Sequence, residues 1–377
     1  MSAPQRLAIA GAGERHASLT DTGTSQRMLL RDAVDSALAA SGVSRPQVDG
    51  WITAMGPLDD LRFLGLAPRF ATAVDSGGSS PATALITAFG ALQAGLASVV
   101  VCAFSSRVAA RSGSIGEVAH RYPPLWGMSG AVTAHALFAQ RYLQRFGGTP
   151  KDLGEVAVAQ REHARVRQDA SYFGRPLALE EYLDSPLVAE PLRRLDCCRD
   201  ANVGAAVVVT TPEIAADLPA APVYVAGIGA GDNIRNWHAG TVFDHHDDVE
   251  DAKARAFAQA GVSLSDVDSA QLYDPFTISV LMQLEHYGFC GPGEAADYVR
   301  GGALGLGGAL PTNTGGGQLS GRYAIGFTPI LEAVRQLRGE AGPTQVSGAH
   351  TVLVSNHGGS SGVPNTYHHL TMVLTDW

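Results

Sequence analysis

Two stretches of the sequence match each other without a gap, and this internal repeat constrains the fold more strongly than any other feature. Residues 37–49 and 256–268 are identical at seven positions. Each copy has the pattern of an amphipathic helix end, a glycine stop and a short turn into a strand. The identical pairs are Ala37/Ala256, Ala39/Ala258, Gly42/Gly261, Val43/Val262, Ser44/Ser263, Val48/Val267 and Asp49/Asp268.

The match extends on both sides of this repeat, which makes chance similarity between alanine-rich helices the weaker explanation. Residues 7–13 resemble residues 223–229, and downstream each half has a glycine-rich loop, a helical stretch and an apolar strand. This repeated order predicts two βαβαβ halves of a layered α/β protein with buried strands. We place the halves at residues 1–215 and 220–377, with an inserted helical and loop region at about 105–200.

Charge and hydropathy exclude two classes of partner. The 377 residues carry a formal net charge of −9 without a basic run, so no nucleic-acid partner is expected. No apolar stretch has the length of a membrane span, and the first six residues lack the apolar segment of a signal peptide. These features predict a cytoplasmic protein.

The four cysteines have no CxxC spacing. We interpret them as reduced core thiols, and the alternative is that one of them is a nucleophile. They are Cys102, Cys197, Cys198 and Cys290.

Polar and glycine-rich segments follow the predicted strands at residues 74–80, 272–276, 313–323 and 355–362. Ligands of open α/β sheets bind beyond the carboxyl ends of the strands. We therefore expect these four segments to form one site for a small molecule.

Two tyrosines and one glycine-rich run are the candidate functional groups of these segments. Tyr273 is predicted to end a strand, with Asp274 capping the next helix and Pro275 in its first turn. Tyr323 precedes a helix predicted at about 326–338, and a helix N-terminus favours the negative charge of a phenolate. Residues 354–360 offer consecutive backbone N–H groups for an oxyanion. The alternative is that each tyrosine is a core-edge aromatic.

Two other patterns have simple structural explanations. The glycines near residues 11–13 and 227–231 lack the spacing of a dinucleotide-binding fingerprint, and the internal repeat accounts for them. Residues 245–248 read His-His-Asp-Asp, but adjacent histidine side chains diverge, so we expect a solvated acidic loop without a metal. The residues alone predict a two-halved α/β enzyme with a site for a small molecule, and they do not specify the reaction.

The glycine-rich segments and the C-terminal part of the sequence resemble the thiolase superfamily, specifically its sterol-carrier-protein type. The resemblance covers essentially the whole chain and is strongest at residues 271–359, with residues 332–342 and 345–349 following the C-terminal signature. It implies the thiolase fold, in which two pseudo-duplicated halves form a layered α-β-α-β-α body.

The chain departs from such thiolases at each of their three catalytic positions. Gly78 stands where the nucleophilic cysteine is expected. The His-Asp-Cys-Phe motif reads Tyr273-Asp-Pro-Phe, and the Gly-His-Pro loop reads Gly321-Arg-Tyr-Ala. Covalent acyl transfer needs a thiolate or an equivalent nucleophile, so thiolysis and Claisen condensation are not expected.

The two tyrosines resemble those of the lipid-transfer-protein aldolases of bacterial steroid side-chain degradation. That resemblance implies retro-aldol cleavage of a steroid β-hydroxyacyl-CoA to a ketosteroid and propionyl-CoA. It implies a homodimer core bound to a small OB-fold, zinc-ribbon partner. Coenzyme A would be part of substrate and product, with no permanently bound cofactor.

We assign Tyr273 and Tyr323 as the acid/base pair, with Tyr273 interpreted as the base and Tyr323 as the donor to the enolate. Weaker candidates for oxyanion or substrate binding are His357, Gly358, Gly359, Gly78 and Asn313. Two other functions remain open. One is an acyltransferase with a relocated nucleophile at Ser79 or Ser80, and the other is a non-catalytic acyl-CoA or lipid-binding subunit.

Overall fold

A computed structural model describes residues 6–108, 130–239, 246–358 and 368–377. The helices are α1 (Gln26–Ser41), α2 (Asp60–Leu64), α3 (Ser80–Gln93), α4 (Gly130–Phe146), α5 (Pro150–Ala164), α6 (Leu179–Asp184), α7 (Pro212–Ala216), α8 (Ile234–Ala239), α9 (Asp247–Ala260), α10 (Thr277–Tyr287), α11 (Ala295–Arg300) and α12 (Phe327–Leu337). The strands are β1 (Leu7–Ala17), β2 (Gly50–Ala54), β3 (Phe70–Val74), β4 (Val99–Ser106), β5 (Leu187–Ala189), β6 (Leu192–Arg193), β7 (Asn202–Thr210), β8 (Val223–Asp232), β9 (Ser269–Gln271), β10 (Thr351–Gly358) and β11 (His368–Thr375).

Within the described part of the chain, nine strands form one mixed sheet in the order β3-β2-β4-β7-β1-β8-β11-β10-β9. Strands β1, β2, β3, β4 and β7 take positions 1 to 5 of the first half, and their order across the sheet is 3-2-4-5-1. Strands β8, β9, β10 and β11 take positions 1, 2, 4 and 5 of the second half, and their order is 1-5-4-2. The missing third position of the second half is marked by an isolated parallel bridge between Ala270 and Thr312. The halves therefore have the same strand order around the β1–β8 junction, as the internal repeat predicts.

Alternate residues of each strand face different helix layers. In β4, Val100, Cys102 and Phe104 pack in a core with α3 and α12, whereas the residues between them pack against α1. In β10, Val352 and Val354 share the central core, and Leu353 faces the layer that contains α9 and α10. Helices α3 and α12 thus lie between the two half-sheets, which confirms the α-β-α-β-α layering.

The repeated segments adopt the same local structure. Helices α1 and α9 both end at a left-handed glycine, Gly42 with φ 74° and Gly261 with φ 71°. Asp49 Oδ1 then accepts the N–H groups that open β4, and Asp268 Oδ2 accepts those that open β10. The duplication thus includes the carboxylates that fix the strand starts.

The glycines of β1 and β8 allow a helix backbone to lie directly on a strand. A Cβ atom on Gly11 would lie 2.2 Å from the carbonyl oxygen of Ala37, and one on Gly227 would lie 1.9 Å from that of Ala256. Ala37 and Ala256 are one of the identical pairs of the repeat. These glycines have a packing role, as expected for a sequence without a dinucleotide fingerprint.

The predicted insertion corresponds to the chain between β4 and β7, and its described part contains α4, α5, α6 and the small β5–β6 sheet. Helix α7 ends at the predicted junction of the halves, and β8 starts after it at Val223. The domain boundaries themselves stay a prediction. None of the described helices is both long and apolar enough to cross a membrane, and the cytoplasmic location also stays a prediction.

Candidate active site

Four segments meet where the two central helices begin. A 3-10 turn at Gly77–Ser79 leads into α3, and the segment from Arg322 to Gly326 leads into α12. The stretch after β9 brings Tyr273 to the same place, and the end of β10 closes it. These are the four segments predicted from the sequence, apart from residues 359–362, which lie outside the described residues.

Gly78 and Tyr273 occupy adjoining space. A Cβ atom on Gly78 would lie 2.4 Å from the hydroxyl oxygen of Tyr273 and 2.6 Å from its Cε1. The same atom would lie 2.4 Å from the backbone oxygen of His357. The phenol therefore fills the volume into which a nucleophilic side chain at residue 78 would project.

Tyr273 is held by its backbone and buried by its neighbours. Its N–H donates to Ser355 Oγ at 2.9 Å, and its carbonyl oxygen accepts from Gln283 Nε2 at 2.8 Å. The side chain is 4% exposed. Burial raises the pKa of Tyr273 well above its ordinary value, and the neighbouring Tyr323, Cys198 and Asp274 raise it further. The resting phenol is therefore protonated.

The prediction that Tyr273 ends a strand is wrong by two residues, because β9 ends at Gln271. The prediction that Asp274 caps the next helix is also wrong. Helix α10 begins only at Thr277, and the Asp274 carboxylate accepts the N–H of Gln318 at 3.0 Å instead.

Asp274 joins the two tyrosine segments. It is fully buried, and its Oδ2 also accepts the N–H of Leu319 at 3.4 Å. A Cβ atom on Gly317 would lie 2.1 Å from Oδ2. Burial raises the pKa of Asp274 to about 7, although the hydrogen bonds to Gln318 and Leu319 lower it. Local sequence could not reveal this role, because its partners lie more than forty residues away.

Tyr323 lies four residues before α12, as predicted, in a constrained turn. The Thr328 hydroxyl accepts the N–H of Ala324 at 2.8 Å and donates to the carbonyl oxygen of Arg322 at 3.1 Å. Ile325 has φ 50°, which is strained for a β-branched residue. The backbone is thus fixed on both sides of Tyr323.

His357 lies beside Tyr273, and Gly358 lies beside the Gly78 turn. The His357 ring lies edge-on to Tyr273, with centroids 4.8 Å apart, and burial lowers its pKa well below the ordinary value. A Cβ atom on Gly358 would lie 2.8 Å from the backbone nitrogen of Gly78 and 2.7 Å from that of Ser79. Gly359 lies outside the described residues.

Asn356, which the sequence did not single out, lies against the segment that leads into α12. Its Oδ1 is buried without a hydrogen-bond partner among the described residues. A Cβ atom on Gly326 would lie 1.8 Å from this oxygen and 2.6 Å from the carbonyl oxygen of Gly78. Its place in the Ser-Asn-His-Gly-Gly run was the available signal.

Asn313 serves the backbone beside the site. Its Oδ1 accepts the N–H of Leu272 at 2.7 Å, and its own N–H donates to the carbonyl oxygen of Ala270 at 2.9 Å. With φ 51°, it forms a turn that supports the chain leading to Tyr273. The described contacts place it with these residues and not at the Gly78 turn.

Histidines line a small cavity beside the site. The solvated loop expected at residues 245–248 is wrong for its described part, because α9 begins at Asp247, whereas residue 245 lies outside the described residues. The rings of His246 and His286 stack with centroids 3.3 Å apart. Asp248 is buried at the start of α9, where burial raises its pKa to about 7. His357 and His369 line the same cavity. Among the described residues, no group of three or more His, Cys, Asp or Glu side chains is placed to hold a metal ion.

The alternative nucleophiles have other partners. Ser79 Oγ donates to the carbonyl oxygen of Ser76 at 2.8 Å, and Ser80 Oγ donates to that of Gly77 at 2.7 Å. The four cysteines are free. Burial raises the pKa of the thiols of Cys102, Cys197, Cys198 and Cys290, so none of them is an activated thiolate.

Comparison with known proteins gives one family and several close relatives. A family model described as "Thiolase C-terminal domain-like" matches residues 238–375. A "Steroid side-chain-cleaving aldolase" of Thermomonospora curvata is 34% identical, over 96% of this chain and 97% of the relative. A "17-hydroxy-3-oxo-4-pregnene-20-carboxyl-CoA lyase" of Mycobacterium tuberculosis is 35% identical, over 96% of this chain and 98% of the relative.

Solved structures agree with these similarities. A structure described as "Ltp2-ChsH2(DUF35) aldolase" superposes with a TM-score of 0.87 and 34% identity, covering 99% of this chain and 98% of the other. An acetyl-CoA acetyltransferase from Syntrophomonas wolfei superposes with a TM-score of 0.70 at 15% identity, covering 99% of this chain and 100% of the other. The second structure supports the fold alone.

Proposed function

The chain belongs to the family of thiolase-fold steroid side-chain-cleaving aldolases, and from this we propose that it breaks a carbon–carbon bond by a retro-aldol reaction. The substrate is a steroid β-hydroxyacyl-CoA whose hydroxyl group is on a ring carbon. The products are a ketosteroid and propionyl-CoA, so coenzyme A enters as part of the substrate. The observation that carries this proposal is the Tyr273 phenol, which fills the space of a thiolase nucleophile at Gly78.

The reaction needs a base for the hydroxyl proton, a stabiliser for the thioester enolate and an acid for its α-carbon. As the O–H proton leaves, a ring C=O forms, and the bond to the α-carbon breaks. The bonding electron pair moves into the enolate, which then takes a proton at the α-carbon.

We propose that Tyr323 takes the hydroxyl proton and Tyr273 protonates the enolate. This reverses the division of roles interpreted from the sequence. Burial keeps the Tyr273 phenol protonated, which is the state of a proton donor, and the N-terminus of α12 favours negative charge near Tyr323. The backbone nitrogens of Gly78 and Ser79 lie beside Gly358, and we assign their N–H groups to the enolate oxygen.

We also propose a homodimer that binds a small OB-fold, zinc-ribbon partner. Strand β3 is one edge of the described sheet, and Ala71 and Ala73 on it are exposed. The apolar side chains of Met55, Leu58 and Phe63 are exposed as well. An exposed edge strand is a ready site for pairing with a second copy. The partner is supported by the name of the similar Ltp2–ChsH2 complex.

The test is to incubate a 17-hydroxy steroid acyl-CoA with the chain, alone and together with a zinc-ribbon protein encoded beside it. We expect propionyl-CoA and the ketosteroid in equal amounts by mass spectrometry. Tyr273→Phe and Tyr323→Phe should each lower turnover at least a hundredfold, because each removes one proton transfer. Circular dichroism should show an intact fold.

Three outcomes would count against this function. Full activity of both single variants would exclude the tyrosine pair, and thiolysis of acetoacetyl-CoA by the wild type would indicate a thiolase. Binding of the acyl-CoA without turnover, even with the partner present, would indicate a non-catalytic subunit.

A further inference from the structure

An arginine-rich cluster adjoins the two tyrosine segments and has no role in the proton transfers proposed above. The Arg161 guanidinium stacks on the ring of Tyr172, with Cζ 3.5 Å from the centroid. Arg199 lies over the same ring at 4.9 Å, and Arg175 is near enough to act electrostatically on Arg161. These four residues are called the arginine–tyrosine cluster below.

Hydrogen bonds attach the cluster to both tyrosine segments. Arg161 Nε donates to Ser320 Oγ at 3.0 Å, and the N–H of Tyr172 donates to the carbonyl oxygen of Ser320 at 3.3 Å. Ser320 lies three residues before Tyr323. On the other side, the N–H of Cys198, next to Arg199, donates to the carbonyl oxygen of Pro275 at 2.8 Å.

Among the residues that the structure describes, no carboxylate forms an ion pair with Arg161, Arg175 or Arg199. Burial lowers the pKa of Arg161, and the charges of Arg199 and Arg175 lower it further, whereas Tyr172 and Glu181 raise it. Three gathered guanidinium groups repel one another, and a bound anion would relieve this repulsion.

We propose that the arginine–tyrosine cluster binds the phosphate groups of the acyl-CoA, an inference that rests on the acyl-CoA substrate proposed above. Guanidinium groups bind phosphate oxygens through paired N–H donors. Arg161 is buried at 4% exposure and forms the base of the site, while Arg175 and Arg199 are exposed. The phosphates of the acyl-CoA would then lie toward solvent, beside Arg175 and Arg199, and the thioester would lie toward Tyr273 and Tyr323.

Isothermal titration calorimetry with coenzyme A and with pantetheine tests the site. Arg199→Gln should raise the Kd for coenzyme A about tenfold, a change of about 1.4 kcal/mol. Pantetheine has no phosphate group, so its Kd should stay within about twofold. The matched control is Arg255→Gln, which removes an arginine that is 67% exposed in its side chain on α9 and should change neither Kd. Dephospho-CoA then distinguishes the 3′-phosphate from the diphosphate.

A second pair of variants tests the stacking. Tyr172→Phe keeps the ring beneath the guanidinium groups and should preserve the Kd for coenzyme A, whereas Tyr172→Leu should raise it several-fold. Equal Kd values for these two variants would show that the ring does not organise the site.

The outcomes separate this inference from the proposed function. If the wild type binds coenzyme A and an Arg175→Gln, Arg199→Gln double variant binds it equally well, the phosphate site is wrong and the aldolase proposal stands. If the double variant keeps coenzyme A but loses the zinc-ribbon partner, the cluster is a protein interface and the inference fails. If the wild type binds no coenzyme A, the acyl-CoA substrate itself is wrong.

Discussion

The contact between Gly78 and Tyr273 explains why loss of a nucleophile and gain of a phenol occur together. A side chain at residue 78 and the phenol of residue 273 would need the same volume, since a Cβ atom would lie 2.4 Å from the hydroxyl oxygen. A tyrosine at residue 273, in place of the histidine of the His-Asp-Cys-Phe motif, thus requires a glycine at residue 78 in the nucleophile loop. Restoring cysteine alone would therefore rebuild neither the thiolase nucleophile nor its partners.

We expect Gly78→Ala to lower turnover at least tenfold. The new methyl group also meets the backbone oxygen of His357 at 2.4 Å, which cannot move aside easily, so the phenol of Tyr273 must shift. Overpacking of this kind typically costs about 1–3 kcal/mol of stability. Turnover of the steroid acyl-CoA and urea unfolding measure the two effects.

Gly90→Ala is the matched control on the same helix. No atom outside its neighbouring helix backbone lies within 4 Å of a Cβ at this position, so stability should be unchanged or rise by about 0.5–1 kcal/mol. If Gly78→Ala kept full activity, the steric account of the nucleophile loop would fail. Acetoacetyl-CoA thiolysis by Gly78→Cys would contradict the same account.

At the scale of single elements, sequence periodicity predicted what depends on local pattern. Helix α12 was expected at about 326–338 and spans Phe327–Leu337, because its apolar positions recur at helical spacing. The apolar strand predicted after this helix in the second half is β10, Thr351–Gly358. The repeat also predicted the two left-handed glycines that end α1 and α9.

The predictions that failed concern partners distant in the sequence. An Asp-Pro pair before a helical pattern is typical of a helix cap. The Asp274 carboxylate instead accepts hydrogen bonds from the buried N–H groups of Gln318 and Leu319. The His-His-Asp-Asp run at 245–248 suggested a solvated loop, yet the ring of His246 stacks on that of His286 in α10. Tertiary contacts decided both cases.

Asp274 should therefore control the geometry of both phenols. We expect Asp274→Asn to lower turnover more than tenfold, because its NH2 group would replace one of the two oxygens that accept from Gln318. A donor would then face a donor, and an unpaired buried donor costs about 1–3 kcal/mol. Burial raises the Asp274 pKa to about 7. Wild-type turnover should consequently fall as the pH drops through about 7 and the carboxylate gains a proton.

The rate profile of the Asp274→Asn variant should lack this acid limb. Asp196→Asn is the comparison, because Asp196 is also fully buried but binds Tyr182 and Thr277. It should lower stability and keep the limb. An acid limb of equal position in Asp274→Asn would assign the titration to another group, such as Asp248.

At the scale of the whole molecule, a partly buried ion network joins the two halves and the insertion. Glu14 of β1 pairs with Arg322, which precedes Tyr323, at 2.8 Å, and with Arg335 of α12. Arg335 also approaches Glu332, which Arg167 of the insertion binds at 3.2 Å. The site is therefore held by charges from all three parts of the chain.

We expect Glu14→Gln to destabilise the protein by about 2 kcal/mol at pH 7, because it leaves two partly buried guanidinium groups without their shared carboxylate. Burial opposes the charge of Glu14, but Arg335, His16 and Arg322 outweigh it and hold its pKa well below the ordinary 4.5. A lowered carboxyl pKa stabilises the fold above the unfolded value, and this contribution is lost as the pH falls below about 4.5. The unfolding free energies of the wild type and Glu14→Gln, measured in urea, should thus converge on acidification.

The control is Glu162→Gln, which removes a half-exposed partner of Arg165 on the surface and should cost no more than about 1 kcal/mol. A stability difference for Glu14→Gln that was small at pH 7, or constant down to pH 3, would show that the network does not hold the halves together.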